Sequence, residues 1–529
     1  MGRSLLTLTA VLGLWVAFAL ALAWPGGLFV TKHSADAVHM VAIADRIAQG
    51  DLPHLDFMTP IGILAFWPIS MVIRLGFDVG QAFLFAQIVF GAVMGLIAFF
   101  ATRKRMDHGW VLIFVALVLI LSMALVHGEA DIAVSVSMHY NRWAWSVAFV
   151  ALAMAMLSPE GPARFDGPLI GFLMVALALI KVTYFAALAP IVIVGLALTG
   201  QRRTLLTGIL VGLFLVLVMT GIVGVNYWTS YLGDLLAVAG SEIRSQPGLD
   251  LIQMFTAPPY LAATFICFAM VVVLRRSGLE AEGLLVLMLI GAGGYITYQN
   301  FGNDPQWWAL LALFLGLWSI EVPGQGARTG LMIGSIGLAA MSAPSFLNMT
   351  VSPFRHAAIP QEDYIPELQG GSRHQDLYVS ETKANRLRAD TPLGDPYRYF
   401  GTEEEVAEPV VFQGQVLNDC QTEPIVSYYG SITQDLRDRG LAQGAGIFSM
   451  DILNPYWLYG DHRPLEGGTP WYYSGLPGLD DAEFVLLPAC PIRTKSRDLI
   501  VEAMGDIELR EVVRTPMYTL YEKPQSADN

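Results

Sequence analysis

Ionisable side chains are concentrated in residues 34–60, SADAVHMVAIADRIAQGDLPHLDFMTP, directly after the first apolar run of the chain. Carboxylate, imidazole and guanidinium groups exchange protons and bind ions or polar substrates. Ser34 is predicted to be the N-cap of a helix that continues to about Gln49, which places Asp36 in its first turn. An acid there either complements the helix dipole, a contribution of about 0.3–1 kcal/mol, or does chemistry. The residues alone leave both explanations open.

Two cations lie at the ends of other apolar runs. Lys181, in LIKVTYF, falls between two such runs with almost no loop around it. A charged side chain at a membrane edge either turns inward and functions or extends to the lipid headgroups, and both explanations stand. Arg142 opens an apolar run in MHYNRWAW, where a cation can meet an anionic headgroup or a bound phosphate.

The composition assigns the chain to the membrane proteins. Of its 529 residues, 54% are hydrophobic and 14% are charged, and the mean hydropathy is +0.52. Soluble domains carry about 25% charged residues. Runs such as 5–24 and 204–225 match the roughly 20 apolar residues that cross a bilayer core. The sequence therefore predicts a polytopic α-helical membrane protein.

Short basic clusters separate pairs of apolar runs, and basic loops of membrane proteins face the cytoplasm. This pattern places the amino terminus inside and the tail outside. Eleven spans are predicted, at 5–24, 81–101, 109–126, 142–158, 167–182, 184–200, 204–225, 259–274, 280–298, 306–321 and 329–346.

The apolar run 60–77 is not counted as a span. It is interrupted by Pro68 and contains Arg74, and counting it would move the basic cluster 102–108 to the outside. It is interpreted as a helix at the outer interface. Residues 25–80 then form one long external loop with two short helices.

The tail is predicted to be a separate soluble domain. From Arg355 onward there are 28 acidic and 15 basic residues, whereas the preceding part has 17 and 16. The acidic balance gives no support for nucleic-acid binding, which needs a basic face. The sequence therefore predicts two domains, a membrane domain over residues 1–349 and an extracytoplasmic domain over residues 350–529.

Strand-like and helix-like segments alternate in the tail. EPIVSYYG and AEFVLLPAC are interpreted as strands and SRDLIVEAMGD as a helix, which predicts an α/β or α+β domain. Cys420 and Cys490 both lie in this tail, so they are a candidate disulfide if the tail is outside the cytosol.

The first loop resembles that of the GT-C superfamily of membrane glycosyltransferases. Bacterial members often show an acid at the start of a helix, a glycine at its end, a G-x-P-x-x-D-F element and prolines before an apolar interfacial helix. Here the element reads GDLPHLDF (50–57), one residue longer. LIKVTYF and YQNFGNDPQWW resemble the lysine-containing turn and the later external loop of such proteins. The resemblance covers the architecture of residues 1–346.

The resemblance implies transfer of a sugar from a polyprenyl phosphate or diphosphate carrier to an acceptor hydroxyl on the external face. It implies that Asp36 is the base that takes the acceptor proton. The superfamily often has two adjacent acids where this chain has Ala-Asp-Ala. Glu129, Asp131 and Asp56 are the candidates for the second acid.

The leaving phosphate of such a reaction needs positive charge beside it. Lys181, Arg142 and Arg244 are the candidates to bind it. Candidate substrate contacts in the external loops are His54, Tyr140, Asn141, Asn300 and Asp304. Some relatives use a divalent cation bound by acids, and no His or Cys spacing in this chain indicates a metal site, so the cofactor stays open.

The expected partners are a polyprenyl-phosphate-linked sugar, a glycan, lipid or protein acceptor, and membrane lipids. The expected location is a bacterial inner membrane, with the amino terminus cytoplasmic and the C-terminal domain periplasmic. Two alternatives stand beside the transferase. One is a transporter or flippase, which predicts paired repeats and polar groups at mid-membrane, and the other is a polysaccharide polymerase or ligase that handles lipid-linked glycans.

Overall fold

The computed structural model describes residues 2–161, 164–243, 251–300, 305–368, 372–384, 389–390, 410–422 and 425–524. In chain order its helices are α1 (Gly2–Ala23), α2 (Ser34–Gln49), α3 (Trp67–Arg74), α4 (Val79–Thr102), α5 (His108–Met123), α6 (His139–Met156), α7 (Asp166–Ile180), α8 (Val182–Leu198), α9 (Arg202–Val223), α10 (Asn226–Ala239), α11 (Leu251–Thr256), α12 (Pro258–Arg276), α13 (Glu280–Gln299), α14 (Trp307–Glu321), α15 (Gln325–Ala357), α16 (Glu381–Ala384), α17 (Ile425–Asp438), α18 (Tyr456–Tyr459) and α19 (Thr494–Met504). Its strands are β1 (Leu28–Val30), β2 (Tyr364–Pro366), β3 (Leu377–Ser380), β4 (Ala389–Asp390), β5 (Val411–Phe412), β6 (Gln415–Val416), β7 (Gln421–Thr422), β8 (Ile447–Ser449), β9 (Phe484–Pro488), β10 (Arg510–Arg514) and β11 (Tyr518–Glu522).

Long apolar helices dominate the first two thirds of the chain. Six helices of the described residues, α1, α4, α9, α12, α13 and α15, are long and apolar enough to cross a bilayer. Helices α5, α7, α8 and α14 are apolar but shorter. Each of the eleven predicted spans falls on a helix. The chain is thus a polytopic helical membrane protein with a C-terminal mixed α/β region, as predicted.

Helix α6 contains most of the predicted span 142–158 but is not among the ten apolar helices named above, and it is deeply buried. Apart from Tyr140, every residue from His139 to Met156 is buried. The helix packs against α4, α5, α7 and α8. Its polar first turn therefore lies among protein side chains, and this explains how an otherwise apolar helix can begin with His139, Asn141 and Arg142.

The first loop contains the two short helices that were predicted. Helix α2 ends at Gln49 with Asp36 in its first turn, but its N-cap is His33, so the prediction that Ser34 caps the helix is wrong by one residue. His33 has a left-handed backbone (φ 61°), which turns the chain into the helix one residue earlier. The run 60–77 contains α3, whose eight residues are too few to span a bilayer.

The first loop and the tail share one small sheet. Strand β1 pairs in parallel with β3, with Leu28 opposite Leu377, and β2 pairs with β3 on its other side. Helix α15 continues to Ala357, past the predicted boundary at residue 349. Strand β1 is therefore packed with the elements that follow α15.

A residue of the tail also caps a membrane helix. The Asp376 carboxylate accepts hydrogen bonds from the backbone N–H groups of Gly80 and Gln81, both at 2.7 Å. These groups lie in the first turn of α4. An acid at a helix N-terminus satisfies orphan donors and complements the dipole, so Asp376 fixes the tail to the start of α4.

The tail has a four-stranded sheet in the order β10-β11-β9-β8, in which only the β8–β9 pair is parallel. The interpretation of EPIVSYYG as a strand is wrong, because α17 begins at Ile425. Its buried residues Tyr428, Tyr429, Ile432 and Leu436 recur at the helical spacing of three and four. Cys420 and Cys490 are joined by a disulfide.

Candidate functional site

Asp36 is held at the start of α2 by a partner from the second loop. The Ser137 hydroxyl donates a 2.5 Å hydrogen bond to the Asp36 carboxylate. Asp36 is half-buried, and burial raises its pKa above the ordinary value, while the Ser137 hydrogen bond and nearby His33 oppose this shift. A carboxylate with a raised pKa is a stronger base than an exposed one.

Lys181 occupies a break between two helices. It lies between the end of α7 and the start of α8 in an extended backbone conformation, and its side chain is buried. The ammonium group donates hydrogen bonds to the side-chain oxygens of Asn141 and Asn300, both at 2.7 Å. It also lies 5.2 Å from the centroid of the Tyr140 ring, a cation–π distance.

Four residues proposed from separate parts of the sequence therefore meet at one point. Tyr140 and Asn141 come from the first turn of α6, Asn300 from the end of α13, and Lys181 from the α7–α8 break. The Lys181 side chain turns inward, since its ammonium group faces the amide oxygens of Asn141 and Asn300.

The first loop passes directly over this break. The Gly62 N–H donates to the carbonyl of Ile180 at 3.3 Å. The backbone of Leu179 leaves no room for a Cβ at Gly62. A glycine is thus required for the loop to lie against the residues that precede Lys181.

Asp36 and Lys181 face the same cavity, which has a volume of about 260 Å³. It is hereafter the Asp36 cavity. Its wall combines residues of the first loop, the membrane helices and the tail. The lining residues are Asp36, His39, Met40, Pro60, Ile61, Ser137, Met138, Tyr140, Lys181, Thr183, Leu235, Val238, Ala239, Ile243, Gln299, Trp471, Tyr473 and Arg493.

The tail supplies part of the wall of the Asp36 cavity through Trp471, Tyr473 and Arg493. The ring of Trp471 lies 5.2 Å from that of His39, one turn beyond Asp36 on α2. Burial lowers the pKa of His39 to about 3, so this imidazole is neutral at physiological pH. The cavity thus carries one acid, two cations and several aromatic rings.

Hydrogen bonds fix the aromatic loop of the tail to the first loop. The Met58 N–H donates to Gly468 O at 2.9 Å, and the Gly467 N–H donates to Asp56 O at 2.8 Å. The Ser241 hydroxyl donates to the carbonyl of Tyr473 at 2.5 Å. These contacts hold the tail aromatics in place above Asp36.

Arg142 lies behind the cavity instead of on its wall. Its guanidinium group is buried and donates to the Ser137 carbonyl at 3.3 Å. The prediction of Arg142 as a direct phosphate contact is therefore not matched by its position, because the side chain is buried and does not line the Asp36 cavity. Arg493 is the second cation of the wall.

The three candidates for a second acid have other partners. Glu129 and Asp131 both bind the Lys32 ammonium group, at 3.1 and 2.9 Å. The Asp56 carboxylate accepts from the Leu52 N–H at 2.6 Å. Among the residues that the structure describes, none of these three lines the Asp36 cavity.

His54 fixes the first loop to α10. Its Nδ1 lies 2.8 Å from the Asp234 carboxylate, and its ring stacks on Tyr231. Asp234 also accepts from the Thr59 N–H at 3.1 Å. His54 is buried in this contact and does not line the Asp36 cavity, so the structure gives it a packing role.

Two predicted residues, Arg244 and Asp304, lie outside the described residues. The sequence reasoning missed Ser137, His39 and Arg493 as parts of the site. The place of His39 could have been predicted, since it follows Asp36 by three residues and therefore lies on the same face of the helix. The Gly-, Pro- and aromatic-rich segment of the tail indicated Trp471 and Tyr473, whereas nothing local to Arg493 indicated its place.

A second cavity of about 530 Å³ lies at the other side of the α2 N-terminus. Its wall includes Lys32, His33, Lys383 and Glu367. Glu367 is buried and accepts a hydrogen bond from the Tyr459 hydroxyl at 2.8 Å. Burial raises its pKa to about 8.

No protein-family model and no curated protein matches the chain. Two solved structures match, both of ArnT from Cupriavidus metallidurans, one in the apo state and one bound to undecaprenyl phosphate. Each is 12% identical and covers 99% of this chain and 98% of that chain, with TM-scores of 0.37 and 0.31. At this level of similarity, activity and substrates must be argued from the residues of this chain itself.

Proposed function

We propose that the protein is a glycosyltransferase that moves a sugar from a polyprenyl-phosphate-linked donor to an acceptor hydroxyl at the external face of the membrane. The observation that carries the proposal is the Asp36 cavity, in which one carboxylate of raised pKa and the buried Lys181 ammonium group face a common space. The resemblance of the first loop to GT-C enzymes agrees with this assignment.

Asp36 is the general base in the proposed reaction. The acceptor O–H gives its proton to the Asp36 carboxylate while the acceptor oxygen bonds to the anomeric carbon. The bond between that carbon and the phosphate oxygen breaks, and its electron pair leaves with the phosphate. Burial favours proton uptake by Asp36, and the Ser137 hydrogen bond orients the carboxylate.

Lys181 and Arg493 stabilise the leaving phosphate. Fixed positive charge in a buried cavity is most effective where negative charge develops. Asn141 and Asn300 hold the Lys181 ammonium group, so it is positioned before the substrate binds. The aromatic rings of Trp471 and Tyr473 offer flat apolar surfaces of the kind that pack against sugar rings.

The apolar part of the wall supports a lipid carrier. Leu235, Val238 and Ile243 line the cavity beside the polar groups. A donor with a polyprenyl chain presents its phosphate at the membrane edge, where Lys181 lies between two membrane helices.

The test is the Asp36→Asn variant expressed as the only copy in the native host. These cells are expected to accumulate a polyprenyl-phosphate-linked sugar, because the donor is still bound while the acceptor proton has no base to take it. Mass spectrometry of extracted lipids measures the accumulation and gives the mass of the sugar.

The matched control is Asp107→Asn, which removes an exposed acid before α5 whose side chain caps no N–H group. The control is expected to keep wild-type lipid levels. An Asp36→Asn variant that is expressed normally and shows the same lipid profile as the wild type would remove Asp36 from the mechanism.

A further inference from the structure

Three side chains with metal-ligating atoms meet outside the Asp36 cavity. His33 precedes α2, and His127 and Glu129 lie in the loop between α5 and α6. One ligand atom of each lies within 4.8 Å of the others. The Nε2 atom of His127 is 3.7 Å from a carboxylate oxygen of Glu129.

This donor set has the chemistry of a zinc-type site. Two imidazoles and one carboxylate are common ligands of Zn²⁺ and of related first-row divalent metals. Metal–ligand bonds of about 2.0–2.2 Å place tetrahedral ligand atoms about 3.3–3.6 Å apart. The three groups therefore need to close by about 1 Å or little more, a movement within the reach of side-chain rotation.

The His33 ring is already oriented by a neighbour. Its Nδ1 atom is hydrogen-bonded to the Ser135 hydroxyl at 3.2 Å. That contact leaves Nε2 as the remaining ligand atom of the ring. Metal-binding histidines usually have such a partner on their other nitrogen, because it fixes the tautomer and the ring orientation.

Lys32 is the cation that now accompanies Glu129. Its ammonium group lies 3.1 Å from Glu129 and 2.9 Å from Asp131. When a metal ion binds the Glu129 carboxylate, the Asp131 carboxylate remains as the ion-pair partner of Lys32. The nearby positive charge opposes a dication, so Lys32 limits the affinity of the site.

We propose that His33, His127 and Glu129 bind one divalent transition-metal ion of the zinc type. The ion ties the loop after α5 to the N-terminus of α2. The same loop contains Ser137, which holds Asp36. The metal is thus a positioning element beside the site, with three protein ligands and a fourth place for water. His33 also lines the second cavity, which gives the ion an entry path.

The experiment uses the full-length protein, purified without a polyhistidine tag, stripped with a chelator and dialysed. One equivalent of Zn²⁺ per chain is expected by elemental analysis after exposure to zinc chloride. Co²⁺ is expected to produce the visible absorption bands of a four-coordinate site. Both readouts are independent of enzyme activity.

Two ligand variants and two controls make the test specific. His127→Ala and the isosteric Glu129→Gln are expected to weaken Zn²⁺ binding at least tenfold. Lys32→Met is expected to tighten it about fivefold, because it removes the opposing charge. His462→Ala, which changes a histidine of the tail bound to the Ala442 carbonyl, is expected to bind as the wild type does.

Binding of no Zn²⁺ by the wild-type protein would overturn the proposal. Equal affinities of the wild type and the Glu129→Gln variant for Zn²⁺ would also overturn it, when thermal unfolding shows that both proteins are folded. If His127→Ala fails to fold, Glu129→Gln and Lys32→Met still decide the question, because an unrelated site would not respond to them in opposite directions.

Discussion

At the scale of single residues, the local environment of Asp36 sets its chemistry. Burial and the Ser137 hydrogen bond shift its pKa in opposite directions, with burial the larger influence. Lys181 could be selected from the sequence because it is a charge between two apolar runs. Asp36 could be selected because it lies in the first turn of a predicted helix within a loop that resembles that of GT-C enzymes. Ser137 and Arg493 could not, since their places at the site depend on segments that are distant in the sequence.

Replacement of Ser137 by alanine tests the hydrogen bond to Asp36. That bond lowers the pKa of the carboxyl group, so its removal is expected to raise the pKa further. The base of the proposed mechanism must be deprotonated to act, and the acidic limb of the pH–rate profile is therefore expected to move upward by about one pH unit. Consumption of the lipid-linked donor in membranes measures this.

Ser70→Ala is the matched control for this shift. Ser70 is also a buried serine, but its hydroxyl donates to the backbone carbonyls of Ala44 and Phe66. The acidic limb of the pH–rate profile of Ser70→Ala is expected to keep its wild-type midpoint. A Ser137→Ala profile with an unmoved acidic limb would show that this hydroxyl does not tune the base.

The Lys181→Ala variant tests the phosphate contact. If the proposed function holds, loss of the ammonium group weakens binding of a polyprenyl phosphate, the proposed carrier, at least tenfold, because a charged contact to phosphate is worth about 1.5–3 kcal/mol. Native mass spectrometry of the purified protein with this lipid measures the change. Arg276→Ala, at the exposed end of α12, is the control, and equal affinity of both variants would return Lys181 to a structural role.

At the scale of elements, the site depends on breaks in regular structure. Lys181 is available because α7 ends at Ile180 and α8 begins at Val182. Among the described residues, each of the six helices that is long and apolar enough to cross a bilayer was predicted from the sequence, because about twenty apolar residues are a strong local signal. It did not predict β1, whose three residues are a strand only through their pairing with β3.

Gly62→Ala tests the close approach of the first loop to the α7–α8 break. A Cβ at this position would collide with the backbone of Leu179, so the loop must move away from Lys181. Donor turnover in membranes is expected to fall at least tenfold, since small displacements of positioning groups are costly to catalysis.

The control for this substitution is Gly221→Ala. Gly221 lies within α9 and a Cβ there meets nothing within 4 Å, so full turnover is expected. Unchanged turnover in Gly62→Ala would mean that the loop adapts without disturbing the site.

At the scale of the whole molecule, the tail completes the site. Trp471, Tyr473 and Arg493 line the same cavity as Asp36, and Asp376 caps α4. The sequence predicted a separate soluble domain because its charge differs from that of the membrane part. The shared sheet was not predictable, since strands this short carry almost no periodic signal.

The pH dependence of the free energy of unfolding tests whether the buried Glu367 carboxyl group carries a proton in the folded tail. Its pKa is raised to about 8 from an ordinary value near 4.5, so the folded protein keeps a proton that the unfolded chain loses. The free energy of unfolding is therefore expected to fall as the pH rises from about 4.5 to 8. Glu367→Gln, which keeps the shape without the titration, is expected to reduce this dependence.

Thermal unfolding of the purified protein across this pH range measures the effect. Glu362→Gln, which changes an exposed acid nearby, is expected to retain the wild-type slope. A Glu367→Gln variant with the same slope as the wild type would contradict the assignment of the buried proton to this residue.

The parallel pairing of β1 with β3 also bears on biogenesis. A ribosome delivers residues 28–30 long before it delivers residues 377–380, so the first loop reaches the membrane surface without the strand that it needs. A polypeptide released early holds Asp36 but no finished pocket around it. The wall of the cavity is complete only after Trp471, Tyr473 and Arg493 have been synthesised, and shorter products would expose the unpaired edge of β1 to quality-control proteases.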